Sequence, residues 1–349
     1  MKTLRIGGDT PPQSTRSHAR FRLVAILVAS AVLLSACASG GSSSGDGKTS
    51  GGLTKLNVII SSSSTALPLV VAAQHGYFKK NGLDVSWKGG TGSLDTFMST
   101  LGHQSDIVTG TQAALIVAAK AGLPVVAING AAYDSSSKEL SNVVAGAKSG
   151  ITSYSDLAGK RVGSLSLTGN VHYAVLDTLQ KAGVDTKSIH WVVGTVASLP
   201  DQLKAGRVDA IEEVEPFASL AVNSGGTKIG DPFRTVDDKV YQVTYLSAKS
   251  WADSHKDVVL KFGKALDEAA GWVKAHPDDA RKTIGSYTGL TGAILEANPI
   301  PDFHFSTTAA DLRDEQTRDI NEWLGVLDRV ASFKQGDLTA AQLIPSWAK

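Results

Sequence analysis

The sequence predicts an α/β protein with a helical C-terminal tail, on three observations. From Leu53 onward, short β-rich runs alternate with helical stretches that stop at glycines. Beyond Ser250 the pattern changes to an apolar period of 3.6 residues with few strand signals. A chain of 349 residues, 42% hydrophobic and 19% charged, can bury sizeable cores over roughly two domains, which excludes disorder throughout.

Leu56–Ile60 reads as the first strand, and Pro68–Ala73 as a helix ending near His75-Gly76. Leu83–Trp87 alternates like a strand, and Gly89-Gly-Thr-Gly92 opens a helix to Leu101. Ser105–Val108 is a strand, Gln112–Lys120 a helix and Leu123–Ile128 a strand. After Asn142–Ala145 a second set begins: strand Lys160–Gly163, helix Val171–Lys181 stopped at Gly183, and strand Ile189–Val193. It continues with helix Leu199–Ala205, strand Val208–Ile211 and helix Phe217–Val222. In the tail, Val258, Val259, Phe262, Ala265, Leu266, Ala269, Trp272 and Val273 share one helix face. Pro277 starts another helix, and Leu312–Val330 carries Ile320, Trp323, Leu324 and Leu327 on one side. These helices are expected to pack onto a sheet already formed upstream.

The chain starts differently. Lys2, Arg5, Arg16, Arg20 and Arg22 precede an apolar run, Leu23–Leu34, of twelve residues. A helix needs about 20 apolar residues to cross a bilayer, so the segment reads as a secretory signal. Its end, Leu34-Ser35-Ala36-Cys37, resembles a bacterial lipobox, and Cys37 is the only cysteine. The resemblance implies cleavage after residue 36 and acylation of Cys37, leaving the protein anchored outside the membrane. The leader holds five basic groups and one acidic group, so its removal takes the formal charge from +1 to −3. Eleven of the fifteen residues from Ala38 to Gly52 are Gly or Ser, a flexible tether.

Composition and motifs exclude several classes. One cysteine permits neither an internal disulfide nor a cysteine zinc site. A charge near zero argues against nucleic acid as a partner. Gly41-Ser-Ser43-Ser-Gly45 matches a hydrolase pattern, but it sits in the tether without the strand and helix a nucleophile elbow needs. Asp95 occupies the third glycine position of a dinucleotide fingerprint begun by Gly90 and Gly92. The histidines show no zinc-hydrolase spacing. No catalytic residue, metal site or cofactor is therefore expected, and the chain reads as a non-enzyme.

Two segments carry a family likeness. One runs Leu67-Pro68 through Ala72-Ala73-Gln-His-Gly76-Tyr77-Phe78-Lys79-Lys80-Asn-Gly82-Leu83-Asp84-Val85; the other runs Gly150-Ile151 through Tyr154-Ser-Asp156-Leu157-Ala-Gly159-Lys160-Arg161-Val162-Gly163. Ala121–Pro124, Leu203–Ala210 and Glu215-Pro216-Phe217 follow in matching order. The chain resembles the extracytoplasmic solute-binding proteins of ABC importers, in the branch of alkanesulfonate, taurine, nitrate and thiamine-precursor binders. That likeness implies a two-lobed, type II-like periplasmic-binding-protein fold with two crossovers, closing on a small solute. It places lobe 1 at residues 53–148 plus 244–349 and lobe 2 at 149–243, after a signal at 1–36 and a lipidated tether at 37–52. A small solute, an ABC permease and its ATPase would be the partners of a monomeric, membrane-anchored receptor, with sulfonate or taurine the favoured solutes. Thiamine precursors, nitrate or aromatic acids are alternatives in the same fold, as is a sensor lipoprotein without a permease. The related thiamine-pyrimidine synthases rely on a cysteine-rich iron motif that this sequence lacks.

Ligands of open α/β sheets sit beyond the carboxyl ends of strands, where loops enter helices. Those positions hold Ser62, Ser63 and Ser64; Thr91; Gly110 and Thr111; Tyr133; and Thr168, Gly169 and Asn170. Small hydroxyl residues and free N–H groups there suit an anion, although each cluster also reads as an ordinary helix cap. Glu212, Glu213 and Glu215 follow the strand Val208–Ile211. The family likeness puts Glu215-Pro216 near the cleft, where Glu213 or Glu215 could take an ammonium or ring N–H. Tyr133, His172 and Trp191 are candidate walls.

Overall fold

A computed structural model describes residues 52–90, 97–334 and 336–349. Cys37, most of its tether, Thr91 and the first half of the helix expected from Gly92 lie outside the described residues. In chain order the strands are β1 (Thr54–Ser61), β2 (Leu83–Gly90), β3 (Ile107–Gly110), β4 (Val125–Gly130), β5 (Ala132–Ser135), β6 (Ser141–Ala145) and β7 (Arg161–Ser164). They continue with β8 (His190–Val193), β9 (Ala210–Val214), β10 (Thr227–Gly230), β11 (Lys239–Tyr241), β12 (Thr244–Ala248) and β13 (Asp302–Phe303). The helices that matter below are α1 (Leu67–Gln74), α2 (Tyr77–Lys80), α3 (Gln112–Lys120), α4 (Asn170–Lys181), α5 (Leu199–Lys204) and α6 (Phe217–Asn223). The tail adds α7 (Lys249–Ser254), α8 (Lys256–Ala275), α9 (Pro277–Thr288), α10 (Gly292–Ala297) and α11 (Ala309–Ala331).

The first lobe is built on a sheet of order β2-β1-β3-β12-β4. β1 pairs in parallel with β2 and β3, and β12 runs antiparallel between β3 and β4. Alternation in β1 sends Leu56, Val58 and Ile60 into the core, while β3 and β4 are buried on both faces. Between α1 and β2 the chain turns at Gly76 and Gly82, both at positive φ, with Phe78 buried beneath them. The apolar face of α8 covers that corner, its Phe262 ring stacked on Phe78 at 5.6 Å.

The second lobe carries a sheet of order β10-β6-β9-β7-β8. Val143, Val162, Val175 and Leu179 fill one face; Val144, Leu199, Ile211 and Ala218 fill the other. The strand expected at Val208–Ile211 begins later, at Ala210, and runs to Val214, so Glu212 and Glu213 lie inside it. The reason is that neither carboxyl group meets solvent, each being buried on its own face of the sheet.

Two crossovers join the lobes. β5 and β11 pair antiparallel at the junction, Tyr133 opposite Tyr241 and Asp134 opposite Val240, and β13 pairs on β5's other side. Burial and the neighbouring Asp231 raise the Asp134 carboxyl, and Arg234 reaches both acids at 2.7 and 2.8 Å. α4 lies between the lobes: Val175 and Leu179 join the second lobe's core, while Tyr173 and Ala174 join the first lobe's. α11 packs along α4 and α3, so the tail helix bridges both units.

Candidate functional site

A narrow pocket of about 70 Å³ lies between the lobes, where strand ends meet helix starts. Ser61, Ser63, Thr111, Gln242 and Val243 line it from the first lobe and crossover. Ser164, Leu165, Ser166, Gly169, Asn170, Val171, His172, Thr195, Val196, Glu212 and Val214 line it from the second. Both α3 and α4 begin here, so two helix N-termini and their partial positive charge converge on the space. No Lys or Arg stands among the lining residues.

The charge of the pocket comes from Glu212, 1% exposed. Ser164 Oγ donates to Glu212 Oε2 at 2.5 Å, and His172 Nδ1 lies 3.1 Å from Oε1. A carboxylate oxygen accepts only, so the imidazole hydrogen belongs on Nδ1. Trp191 backs the imidazole edge-on, ring centres 4.4 Å apart, and fixes its plane. The result is a buried acceptor oriented by two donors, able to take a further N–H or O–H from a guest.

Several expected residues fall here: Ser63, Thr111, Gly169, Asn170 and His172 all line the pocket. Thr111 also caps its helix, its Oγ1 accepting the Ala114 N–H at 3.2 Å. Ser63 Oγ shares a hydrogen with Thr65 at 2.7 Å, and its carbonyl is held by the Tyr287 hydroxyl at 2.9 Å. Thr168 sits one position outside the lining, its N–H bonded to Ser166 Oγ at 3.1 Å.

Others go elsewhere. Ser62 and Ser64 belong to the same turn as Ser63 but not to the pocket wall. Gly110 is packed against the sheet: a Cβ there would lie 2.3 Å from Leu246 Cδ1. Tyr133 belongs to the junction, stacked on Tyr241 at 4.2 Å, under the Lys239 ammonium at 3.8 Å, and donating to Glu315. Burial and that acid push its hydroxyl up to about 12. Glu213 and Glu215 were expected to take a ligand amine, yet strand alternation places Glu213 on the opposite face from Glu212. Glu213 is wholly buried, which holds its carboxyl well above the usual range. Glu215 is raised by burial too, accepts from Ser219 N–H and Oγ, and faces a separate recess of about 170 Å³ with Asn142, Lys228 and Ala297.

The sequence alone does not single out Ser164, Ser166, Thr195 or Gln242 as lining residues, and it names Glu212 without placing it in the pocket. Continuing the strand to Val214 separates Glu212 from Glu213, but the period of two does not say which face meets the pocket; Ser164 and His172, from other elements, decide it. A larger recess of about 400 Å³ lies at the opposite edge of the second sheet, lined by Gly146, Lys148, Lys204, Gly206 and Asp209. It is at the amino ends of the parallel strands, away from the edge where such sheets bind ligands.

A family profile described as NMT1/THI5 like matches residues 63–280. The chain belongs to that family. A putative thiamine biosynthesis protein of Haemophilus influenzae is 27% identical over 224 residues, covering 63% of this chain and 68% of the relative. The putative binding protein YtlA of Bacillus subtilis is 27% identical over 228 residues, covering 64% and 67%. Among solved structures, the alkanesulfonate-binding protein SsuA of Xanthomonas axonopodis pv. citri, bound to MOPS, superposes with a TM-score of 0.67 at 17% identity, covering 83% of this chain and 97% of that one. The nitrate-binding protein NrtA of Synechocystis PCC 6803 gives 0.61 at 14% identity, covering 80% and 86%. The desulfurization enzyme DSZB follows at 0.54 and 13% identity, covering 84% and 97%. At these identities the structural likeness fixes the fold alone: that of periplasmic solute-binding proteins. No helix among the described residues is long and apolar enough to cross a membrane.

Proposed function

We propose that this chain is the exported, lipid-anchored receptor of an ABC importer and that its solute carries an amino group. The leader, the Leu34–Cys37 sequence and the Gly/Ser tether support export and anchoring at Cys37. The family and the periplasmic-binding fold support a solute held between two lobes and handed to a permease without covalent chemistry.

The observation that carries the solute class is Glu212, a buried acceptor in a pocket without a basic side chain. A plain oxyanion such as nitrate or an alkanesulfonate would meet this carboxylate at low dielectric and be repelled. An aminosulfonate of the taurine type satisfies both ends. Its ammonium meets Glu212, and its acid group meets the N-termini of α3 and α4. A second reading is an aminopyrimidine, favoured by the apolar walls Leu165, Val171, Val196 and Val243 and by the thiamine-related name of one relative.

Thermal-shift and calorimetric titration of the protein with taurine, ethanesulfonate, nitrate and 4-aminopyrimidine decide between these. Taurine or 4-aminopyrimidine at 100 times its dissociation constant should stabilise by about 2.7 kcal/mol. Tight binding of ethanesulfonate with none of taurine or the pyrimidine would sink the amino-solute reading. Replacing Cys37 by Ser should release the protein from the membrane fraction; retention would overturn the anchor.

A further inference from the structure

Asn170 was expected to contact a ligand, but its side chain is already engaged. It opens α4 in the second lobe and is 1% exposed. At the first helical position a side chain projects off the end of the helix, and here all its bonds leave the lobe. Oδ1 accepts the Ala113 N–H of α3, in the first lobe, at 2.9 Å. Nδ2 donates to the Tyr241 carbonyl of the second crossover at 3.2 Å and, more loosely, to Gln112 Oε1 at 3.4 Å.

The first turn of α3 is thus capped twice. Thr111, its own N-cap residue, takes the Ala114 N–H, and the neighbouring Ala113 N–H is taken from across the cleft. We infer that Asn170 is a closure latch: a helix cap supplied by one lobe to the other, whose formation reports and favours the closed arrangement. Separation of the lobes returns the Ala113 N–H, the Asn170 amide and the Tyr241 carbonyl to water. The net weight of each bond is then small, enough to bias the two arrangements and not enough to lock them. The inference concerns closure of the empty protein, and it touches the solute reading above only through apparent affinity.

The test uses the full-length protein with Asn170→Ala and, as a milder cut, Gln112→Ala. Solution scattering without solute should show Asn170→Ala with the larger radius of gyration. Gln112→Ala should shift it in the same direction by less. Amide exchange should speed at Ala113 and stay slow at Ala114. Half-saturation by taurine or 4-aminopyrimidine should need about five to ten times more solute, with their ranking unchanged. A scattering profile identical to wild type, with affinity lost for one solute and kept for the other, would make Asn170 a solute contact and end the latch. Tighter binding in Asn170→Ala would also overturn it, since the amide would then be competing with the solute for the Ala113 N–H. If neither solute binds, the amino-solute reading fails, while scattering and exchange still decide the latch. If Asn170→Ala does not fold, Gln112→Ala with a wild-type scattering profile and wild-type Ala113 exchange would end the proposal.

Discussion

His172 Nδ1 lies 3.1 Å from Glu212 Oε1, and neither side chain meets bulk solvent. Because Ser164 holds the other oxygen, the acid is fixed in direction before any guest arrives. Glu212→Gln keeps the shape but replaces one acceptor by an N–H. The expected outcome is a loss of about 10- to 100-fold in affinity for an amine-bearing solute, the worth of a charge-assisted hydrogen bond. Isothermal titration checks it. Unchanged affinity would remove Glu212 from solute recognition.

The junction carries a pH signature. Burial raises the Asp319 carboxyl to about 7, although Oδ1 accepts the Tyr241 N–H at 3.1 Å. Its folded-state value lies above its unfolded one, so its contribution is fully present below about pH 4 and lost as pH rises toward 7. Asp319→Asn keeps the acceptor for Tyr241 and cannot ionise. The variant should be more stable than wild type by about 1–3 kcal/mol at pH 8, and nearly equal to it at about pH 3.5. Urea melts at the two pH values measure the difference, and an advantage that does not grow with pH would refute the assignment.

These cases show why some of the molecule was legible in its sequence and some was not. The periods of α8 and α11 are local, and Phe262, Leu266, Ile320 and Trp323 are buried where the spacing puts them. Ser63, Thr111 and Asn170 were found as residues between a strand and a helix, which is also local information. Their partners are not local: Ala113 and Asn170 are 57 residues apart, and Tyr133 meets Glu315 across 182. Glu212 was misjudged because consecutive carboxylates normally end a strand at the surface. Only the partners Ser164 and His172, from other elements, make its burial tolerable. β12 is central to the first sheet yet only five residues long, and it is assigned there by β3 and β4 rather than by its own pattern.

Gly130 ends β4 against the Tyr241 ring, so closely that a Cβ would lie 2.1 Å from Cζ. That ring is stacked on Tyr133 and its hydroxyl donates to Glu315 at 3.1 Å, which leaves it nowhere to move. Gly130→Ala should cost about 3 kcal/mol, at the upper end of ordinary overpacking, and lower the melting temperature by roughly 5–10 °C. In a Tyr241→Ala background the same substitution should be nearly neutral. Equal cost in both backgrounds would mean that the ring is not the obstacle.

The lobes are also tied by an ion pair on the far side of α4. Asp177 is 1% exposed at its side chain and takes Arg329 of α11 through two bonds, 2.7 and 3.0 Å, with Lys181 at 2.8 Å. Burial alone would raise this carboxyl; the hydrogen bonds from Arg329 and Lys181 more than offset it and hold it below the usual range. A depressed folded-state value means stability that is present above about pH 4 and lost as pH falls through the folded value. Arg329→Met keeps the aliphatic stem and removes the guanidinium. It should destabilise by about 1–3 kcal/mol at pH 7, less than a fully orphaned buried charge because Lys181 remains. Once acid protonates Asp177 there is no charge left to compensate, so the gap between variant and wild type should shrink toward zero as pH falls below the usual carboxylate range. Chemical denaturation across that range decides the matter. A gap independent of pH would assign the loss to packing between α4 and α11 rather than to the pair.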